Sequence, residues 1–276
     1  MYKSKMKYIA TIWLVCIVTM SCSAQKSATK KTGGNTGDWY SYSKHHDEPS
    51  ETDYYLTRIK HKDSQGNLKK LRLAQSTVLE GEAVHQFARR AQATLAFNAS
   101  MGTKGKTAQD KLLPVGIQIE NGKVIQNRRT RVYTLGVKAN NELVAYPPGT
   151  TPQQILNDGA QDALTAFIPL IENYKAVDTS LLDLVGNLKV KHPRQVIAQL
   201  ENLDIVFLSC GGRGFDGKGM TAMDVIRVLK KEGVKFAFML DGGGSTSTVI
   251  DDTLITKKID QHGTKERLRP NFLYFK

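Results

Sequence analysis

From residue 52 onward the chain consists of short apolar or alternating runs separated by Gly, Asn and Asp, the pattern of a sheet protein with few helices. Tyr54-Tyr55-Leu56-Thr57-Arg58-Ile59 and Leu71-Arg72-Leu73-Ala74 alternate as strands, and the turn-prone Ser64-Gln65-Gly66-Asn67 between them predicts an antiparallel pair. Val84, Phe87, Ala88 and Ala91 recur at helical spacing, and Thr94-Leu95-Ala96-Phe97 follows as a strand ending at Asn98. Asn121-Gly122 between two apolar runs predicts a type I′ hairpin, and Asn140-Asn141 between Val132–Val137 and Glu142–Tyr146 predicts a second. Thr151-Pro152-Gln153-Gln154 supplies a capping hydroxyl, a proline at the first helical position and a glutamine at the third, so a short helix starts there.

Strands are expected at Val196–Leu200 and Ile205–Leu208, the second running into Ser209-Cys210-Gly211-Gly212-Arg213. Thr221 and Asp224 form a capping box for a helix whose apolar face is Val225, Ile226, Val228 and Leu229 and which Gly233 closes. Next comes Val234–Leu240, a buried strand ending at Asp241, and Asp251-Asp252 reads as a hairpin turn. Hairpins interspersed with a few helices predict an α+β fold: a mixed, largely antiparallel sheet with a few packed helices, in a single catalytic-type domain.

The first residues change this picture. Lys3, Lys5 and Lys7 precede the apolar run Tyr8–Val18, which is too short to span a membrane comfortably, so residues 1–21 read as a signal peptide. Cys22 after Ser21 fits a lipoprotein processing site, which predicts a lipid-anchored protein exported to the periplasm or cell envelope. Residues 22–51, rich in Ser, Thr, Lys and Gly, read as a flexible tether, and residues 52–276 as the folded domain. If Cys22 is acylated, Cys210 has no disulfide partner in the mature chain.

The formal charge is +13, and removing three lysines with the leader leaves +10. These cations are scattered or sit in the tether and no DNA- or RNA-binding motif accompanies them, so a nucleic-acid partner is not expected. They suit steering of phosphates or acidic glycans instead. The histidines show no metal-ligand spacing, and no metal or cofactor is expected.

The stretch that looks built for chemistry is Asp241-Gly242-Gly243-Gly244-Ser245-Thr246-Ser247-Thr248, a carboxylate at a strand end followed by three glycines and four hydroxyls. A hairpin turn needs only one or two glycines. Three let the backbone turn several amides toward one anion or approach a ligand closely. Gly212–Gly219 is a near miss to a phosphate-binding P-loop, with Gly219 standing where Ser or Thr would hold magnesium. Cys210 at a strand end is a conceivable nucleophile with His192 or His262 as base, although a lone cysteine in an apolar strand is usually a small buried hydrophobe.

Gly211-Gly212-Arg213 through Gly219-Met220-Thr221, a helix, and then Leu240-Asp241-Gly242-Gly243-Gly244-Ser245-Thr246 resemble the phosphodiester glycosidases in order and spacing. Pro114-Val115-Gly116 with Asn121-Gly122, Leu170–Asn173, Pro193-Arg194 and Arg269-Pro270 add to the resemblance, which runs from Asn98 to Phe275. The family usually has Asn-Gly-Gly-Phe where this chain has Asn98-Ala99-Ser100-Met101, and Asp-Gly-Arg where it has Gly211-Gly212-Arg213. The resemblance implies hydrolysis of a sugar 1-phosphodiester at the anomeric carbon, with N-acetylglucosamine the sugar to consider. It implies Asp241 as nucleophile or base, and Arg194 and Arg213 as catalytic partners holding the diester charge. Gly242, Gly243, Gly244, Ser245 and Thr246 would cradle the anion, and Asn98 would bind a sugar hydroxyl or acetamido group. The alternative is a lipoprotein that binds phosphorylated or acidic glycans without cutting them.

Overall fold

The computed structural model describes residues 32–33, 37–104 and 110–276. The expected signal peptide and Cys22 lie outside the described residues. Every strand pair among those residues is antiparallel, and the sheets outweigh the helices, so the α+β expectation holds only loosely.

Three sheets surround one core. The largest runs in spatial order through Thr32–Gly33, Tyr40–Asp47, Thr52–Ile59, Ile205–Cys210, Arg194–Gln199, Phe236–Met239, Pro169–Glu172 and Lys175–Ala176. A second contains the two predicted hairpins, Ile117–Glu120 with Lys123–Asn127 and Thr134–Lys138 with Leu143–Tyr146, joined through Ala160–Thr165. The third is Thr253–Leu254, Thr248–Ile250, Leu95–Asn98, Asn271–Phe275 and Arg72–Gln75.

Period-two alternation explains the layering. Ile197, Ile205, Phe207 and Phe238 point into the shared core, where Phe207 stacks on Phe97 of the third sheet with ring centroids 3.6 Å apart. Their neighbours Val196, Val206, Leu208 and Ala237 point outward and bury Val225, Ile226 and Leu229 of the helix Ala222–Lys231. The outer face of the third sheet is covered in the same way by Val84 and Phe87 of the helix Val84–Ala91, and that of the second by Ile155 of the helix Pro152–Asn157. The predicted capping boxes at Thr151 and Thr221 are both formed.

Two expectations need correction. Tyr54–Ile59 and Leu71–Ala74 do not pair. The Ser64–Asn67 turn closes locally, with Gly66 and Asn67 amides donating to Asp63 and Ser64 bonding to Asp38, and the chain then crosses to another sheet where Arg72–Gln75 pairs with Asn271–Phe275. The fold also begins before Thr52. Tyr40–Asp47, inside the expected tether, pairs along the whole of Thr52–Ile59, while Trp39 and Tyr40 enter the core. The polar residues of that strand reflect its partial exposure rather than a lack of structure.

Candidate active site

The antiparallel order brings three chain segments to one end of the largest sheet. The Phe236–Met239 strand delivers Leu240-Asp241, the Arg194–Gln199 strand starts there, and Leu95–Asn98 arrives from the third sheet. Leu240 N donates to Gln195 O (2.9 Å), and Asp241 N donates to Ala99 O (2.9 Å). Asp241 therefore sits on the seam between two sheets. The segments frame a cleft of about 370 Å³ lined by Met101, Asn187, His192, Arg194, Arg213 and Arg267 together with Asp241.

Asp241 is the one carboxylate in that lining. Its Oδ2 is 2.8 Å from Arg269 Nη2, and both side chains are largely buried, at 13% and 6% exposure. Burial pushes the Asp241 carboxyl above the ordinary aspartate value, against the opposing pull of Arg269, the Ser245 hydroxyl, Arg267 and the Gly242 amide. The Arg269 guanidinium also donates to Ser100 O (3.0 Å), tying the carboxylate to the segment that follows Asn98.

Arg194 is buried, its Nε donating to Met220 O (2.8 Å) and its Nη2 to Asn187 O (2.6 Å) and Val190 O (2.7 Å). Burial draws its pKa down to about 10. It lines the cleft without a carboxylate partner among the described residues, so it presents positive charge there while holding the 187–190 loop. Arg213 is exposed, stands in a positive-φ conformation (58°) and reaches over Gly243. Arg267 is clamped by two bonds to Asp260, at 2.7 and 2.8 Å. His192 is held below the ordinary histidine value by burial and by the charges of Arg194 and Arg213, so its imidazole is neutral at pH 7.

Gly242 and Gly243 line the cleft, and part of the turn's backbone is engaged within the protein. Gly243 N donates to Pro193 O, Ser245 N to Gly242 O and Thr246 N to Gly243 O, so these amides are spent inside the protein. What the run requires is space: a Cβ on Gly242 would lie 2.5 Å from Pro193 O, and one on Gly244 would lie 2.0 Å from Asp260 Oδ1. Ser245 and Thr246 are buried beneath the turn rather than lining the cleft. Asn98 is also fully buried. Its Nδ2 donates to Asp241 O (2.6 Å) and its Oδ1 accepts from Ser247 N (3.0 Å), so it braces the segment that carries Asp241 and is kept from the cleft.

The other candidates fall away from the cleft. In the P-loop lookalike, Gly212 and Phe215 bond to one another through their backbones, and Lys218 pairs with Glu51. Asp216, the acid in that loop, lies near Lys44 and Tyr55. Cys210 is fully buried and its thiol is pushed up to about 12, unsuited to a nucleophile. Sequence reasoning missed Arg267, missed Arg269 as the partner of Asp241, and named His192 only as a base for Cys210 and not as a residue of the Asp241 cleft. The available signal was the alternation Arg267-Leu268-Arg269 immediately before the terminal strand, which places two cations on one face.

The phosphodiester glycosidase family model matches residues 91–276. The SPbeta prophage-derived uncharacterized protein YomE of Bacillus subtilis strain 168 is 30% identical over 185 residues, which is 65% of this chain and 28% of the relative. The chain thus spans under a third of that relative's length. Among solved structures, the zebrafish N-acetylglucosamine-1-phosphodiester alpha-N-acetylglucosaminidase catalytic domain, auto-inhibited by its pro-peptide, superposes with a TM-score of 0.68 at 15% identity, covering 88% of this chain and 84% of that one. A hypothetical protein from Synechocystis superposes with a TM-score of 0.69 at 13% identity, covering 90% and 64%. These two likenesses establish the fold.

Proposed function

Because the chain belongs to the phosphodiester glycosidase family, we propose that it hydrolyses a sugar 1-phosphodiester at the anomeric carbon, releasing free sugar and a phosphomonoester. The observation that carries this reading is the cleft itself: one buried carboxylate, Asp241, among Arg194, Arg213 and Arg267. A cationic cleft recognises the diester, and the lone carboxylate supplies the chemistry. Asp241 either attacks the anomeric carbon or takes the proton of the attacking water. The bond from that carbon to the bridging oxygen breaks, and the electron pair leaves with the phosphate. A phosphomonoester is a stable anion, so a second carboxylic acid to protonate the leaving oxygen is less necessary than in ordinary glycoside hydrolysis. The raised pKa of Asp241 makes it a stronger base than a solvated aspartate, as proton abstraction requires.

Arg213, exposed and unpaired among the described residues, is free to fork onto the phosphate, and Arg194 adds charge from the cleft wall. Arg269 orients Asp241 from behind, and Asn98 fixes the strand that carries it. N-acetylglucosamine is the first sugar to test, since the similar zebrafish domain is named for it. The substrate and the apolar, lysine-flanked leader both suit export, with Cys22 as the lipid attachment point; a mature N-terminal peptide lacking an acyl mass would remove the anchor. Incubation with N-acetylglucosamine α-1-phosphodiesters, followed by mass spectrometry, should show free sugar and phosphomonoester in equal amounts. Binding without release would make the cleft a recognition site only.

A further inference from the structure

A basic course leaves the cleft on one side. Met101 lines the cleft, and the two-residue strand Gly102–Thr103 carries the chain about 7 Å to a second depression of about 260 Å³, where Thr103 lies with Lys104, Lys111 and Arg128. Arg128 also lines a third groove, of about 600 Å³, together with Arg129 and Thr130. The three hollows are thus joined through shared or adjacent residues. Among the described residues none of Lys104, Lys111, Arg128, Arg129 or the neighbouring Arg131 forms an ion pair, and the one carboxylate along the course, Asp110, is itself engaged. No carboxylate lines the third groove. Elsewhere on this surface exposed arginines do find acids, as Arg89 does with Asp252.

Unpaired guanidiniums side by side in a concave groove repel one another until an anion separates them. A substrate with a single phosphate is satisfied by Arg213 and Arg194 in the cleft and leaves Arg128 and Arg129 without purpose. We propose that the substrate is a polymer of repeating phosphodiesters, whose flanking phosphates occupy the groove lined by Arg128 and Arg129 while one linkage lies over Asp241. This rests on the phosphodiester glycosidase reading and names its substrate class. No aromatic side chain lines either outer groove, so the stacking platform on which single-stranded nucleic acid depends is missing. The hollows are concave, whereas a membrane surface would meet a flat patch.

The test compares the full chain with the double variant Arg128→Ala/Arg129→Ala and with Lys230→Ala/Lys231→Ala, which removes equal charge from the end of a distant helix. Binding of a fluorescent poly(glycerol phosphate) oligomer is followed by anisotropy at several salt concentrations, and KM is measured for a single-unit sugar phosphodiester. The groove variant should bind the oligomer about tenfold or more weakly, with a flatter salt dependence, while its kinetics on the single unit stay unchanged. The control should match the native chain. Equal weakening in both variants, or a groove variant within about twofold of native, would overturn the proposal, as would a single-stranded oligonucleotide of equal charge bound with the same affinity and the same dependence on Arg128 and Arg129. The binding arm does not require turnover, so Asp241→Asn serves there too. Oligomer held by the groove while the single-unit sugar phosphodiester stays uncleaved would sink the glycosidase reading and leave the groove standing; the oligomer itself has no anomeric linkage and reports binding alone.

Discussion

Replacing Arg269 by Met removes the cation that sits 2.8 Å from Asp241 while keeping most of the side-chain volume. Both partners are more than four-fifths buried, so the carboxylate left behind cannot recover its charge partner from solvent. Breaking a buried pair on one side costs about 3–5 kcal/mol, and in a domain of this size that is a fall in Tm of roughly 6–20 °C. The loss should depend on pH. Burial already raises the Asp241 pKa in the folded state above its unfolded value, and without Arg269 the raise is larger. A raised folded pKa means that the folded state holds the proton more tightly. Its stabilising contribution is therefore fully present below the unfolded value near 4 and is lost as pH rises through the folded value. The variant should lie closest to the native chain at acid pH and furthest from it at neutral pH. Urea denaturation at pH 4.5 and 7 measures both. The double variant Asp241→Asn/Arg269→Met should regain much of the loss, because no buried charge remains. The same loss at both pH values, or a double variant as unstable as the sum of the singles, would refute the pairing argument.

Other perturbations separate the parts of the account. A fragment beginning at Thr52 should fail to fold, since it loses the partner strand Tyr40–Asp47 and the buried rings of Trp39 and Tyr40, each worth about 3 kcal/mol or more; a fragment beginning at Gly37 should give a cooperative thermal transition. Gly242→Ala pushes a methyl group to 2.5 Å from Pro193 O, so the turn must move and carry Asp241 with it. A fall in kcat well beyond a stability loss of about 1–3 kcal/mol is expected, read by steady-state kinetics beside calorimetry. Arg213→Ala should leave stability within about 0.5 kcal/mol and raise KM about tenfold or more, because the guanidinium is exposed and spends itself only on substrate.

The locally encoded features were legible. Asn121-Gly122 and Asp251-Asp252 adopt the positive φ values of type I′ turns (49° and 77°, then 47° and 62°), and a two-residue turn of that kind dictates its own hairpin. The strand that ends at Asp241 could be read because its residues are apolar on both faces, buried by the core on one side and by a helix on the other. The partner of Arg72–Gln75 could not be read, since alternation identifies a strand and its face but not which remote strand shares its edge. Tyr40–Asp47 was hidden for a related reason: only one side of it is well covered, so serines, lysine and histidine are tolerated there.

Within the site, Asp241, Arg194, Arg213, Gly242 and Gly243 converge on one cleft, whereas Gly244, Ser245, Thr246 and Asn98 stand outside its lining. Close packing against Pro193 and Arg267 demands glycine just as ligand approach does, and a buried amide bracing two backbone groups has the same composition as one that binds a sugar. Arg269 was opaque because the ion pair joins positions 28 residues apart across a sheet boundary, a distance no local pattern spans.

The central claim is that the bond broken lies between the anomeric carbon and oxygen, with Asp241 directing the attack. Turnover of N-acetylglucosamine α-1-phosphodiester in water enriched in heavy oxygen, with both products weighed by mass spectrometry, tests it most directly. The label is expected in the sugar, with an unlabelled phosphomonoester and no release by Asp241→Asn. Label in the phosphate would mean that phosphorus is attacked and that the protein is a phosphodiesterase of another kind.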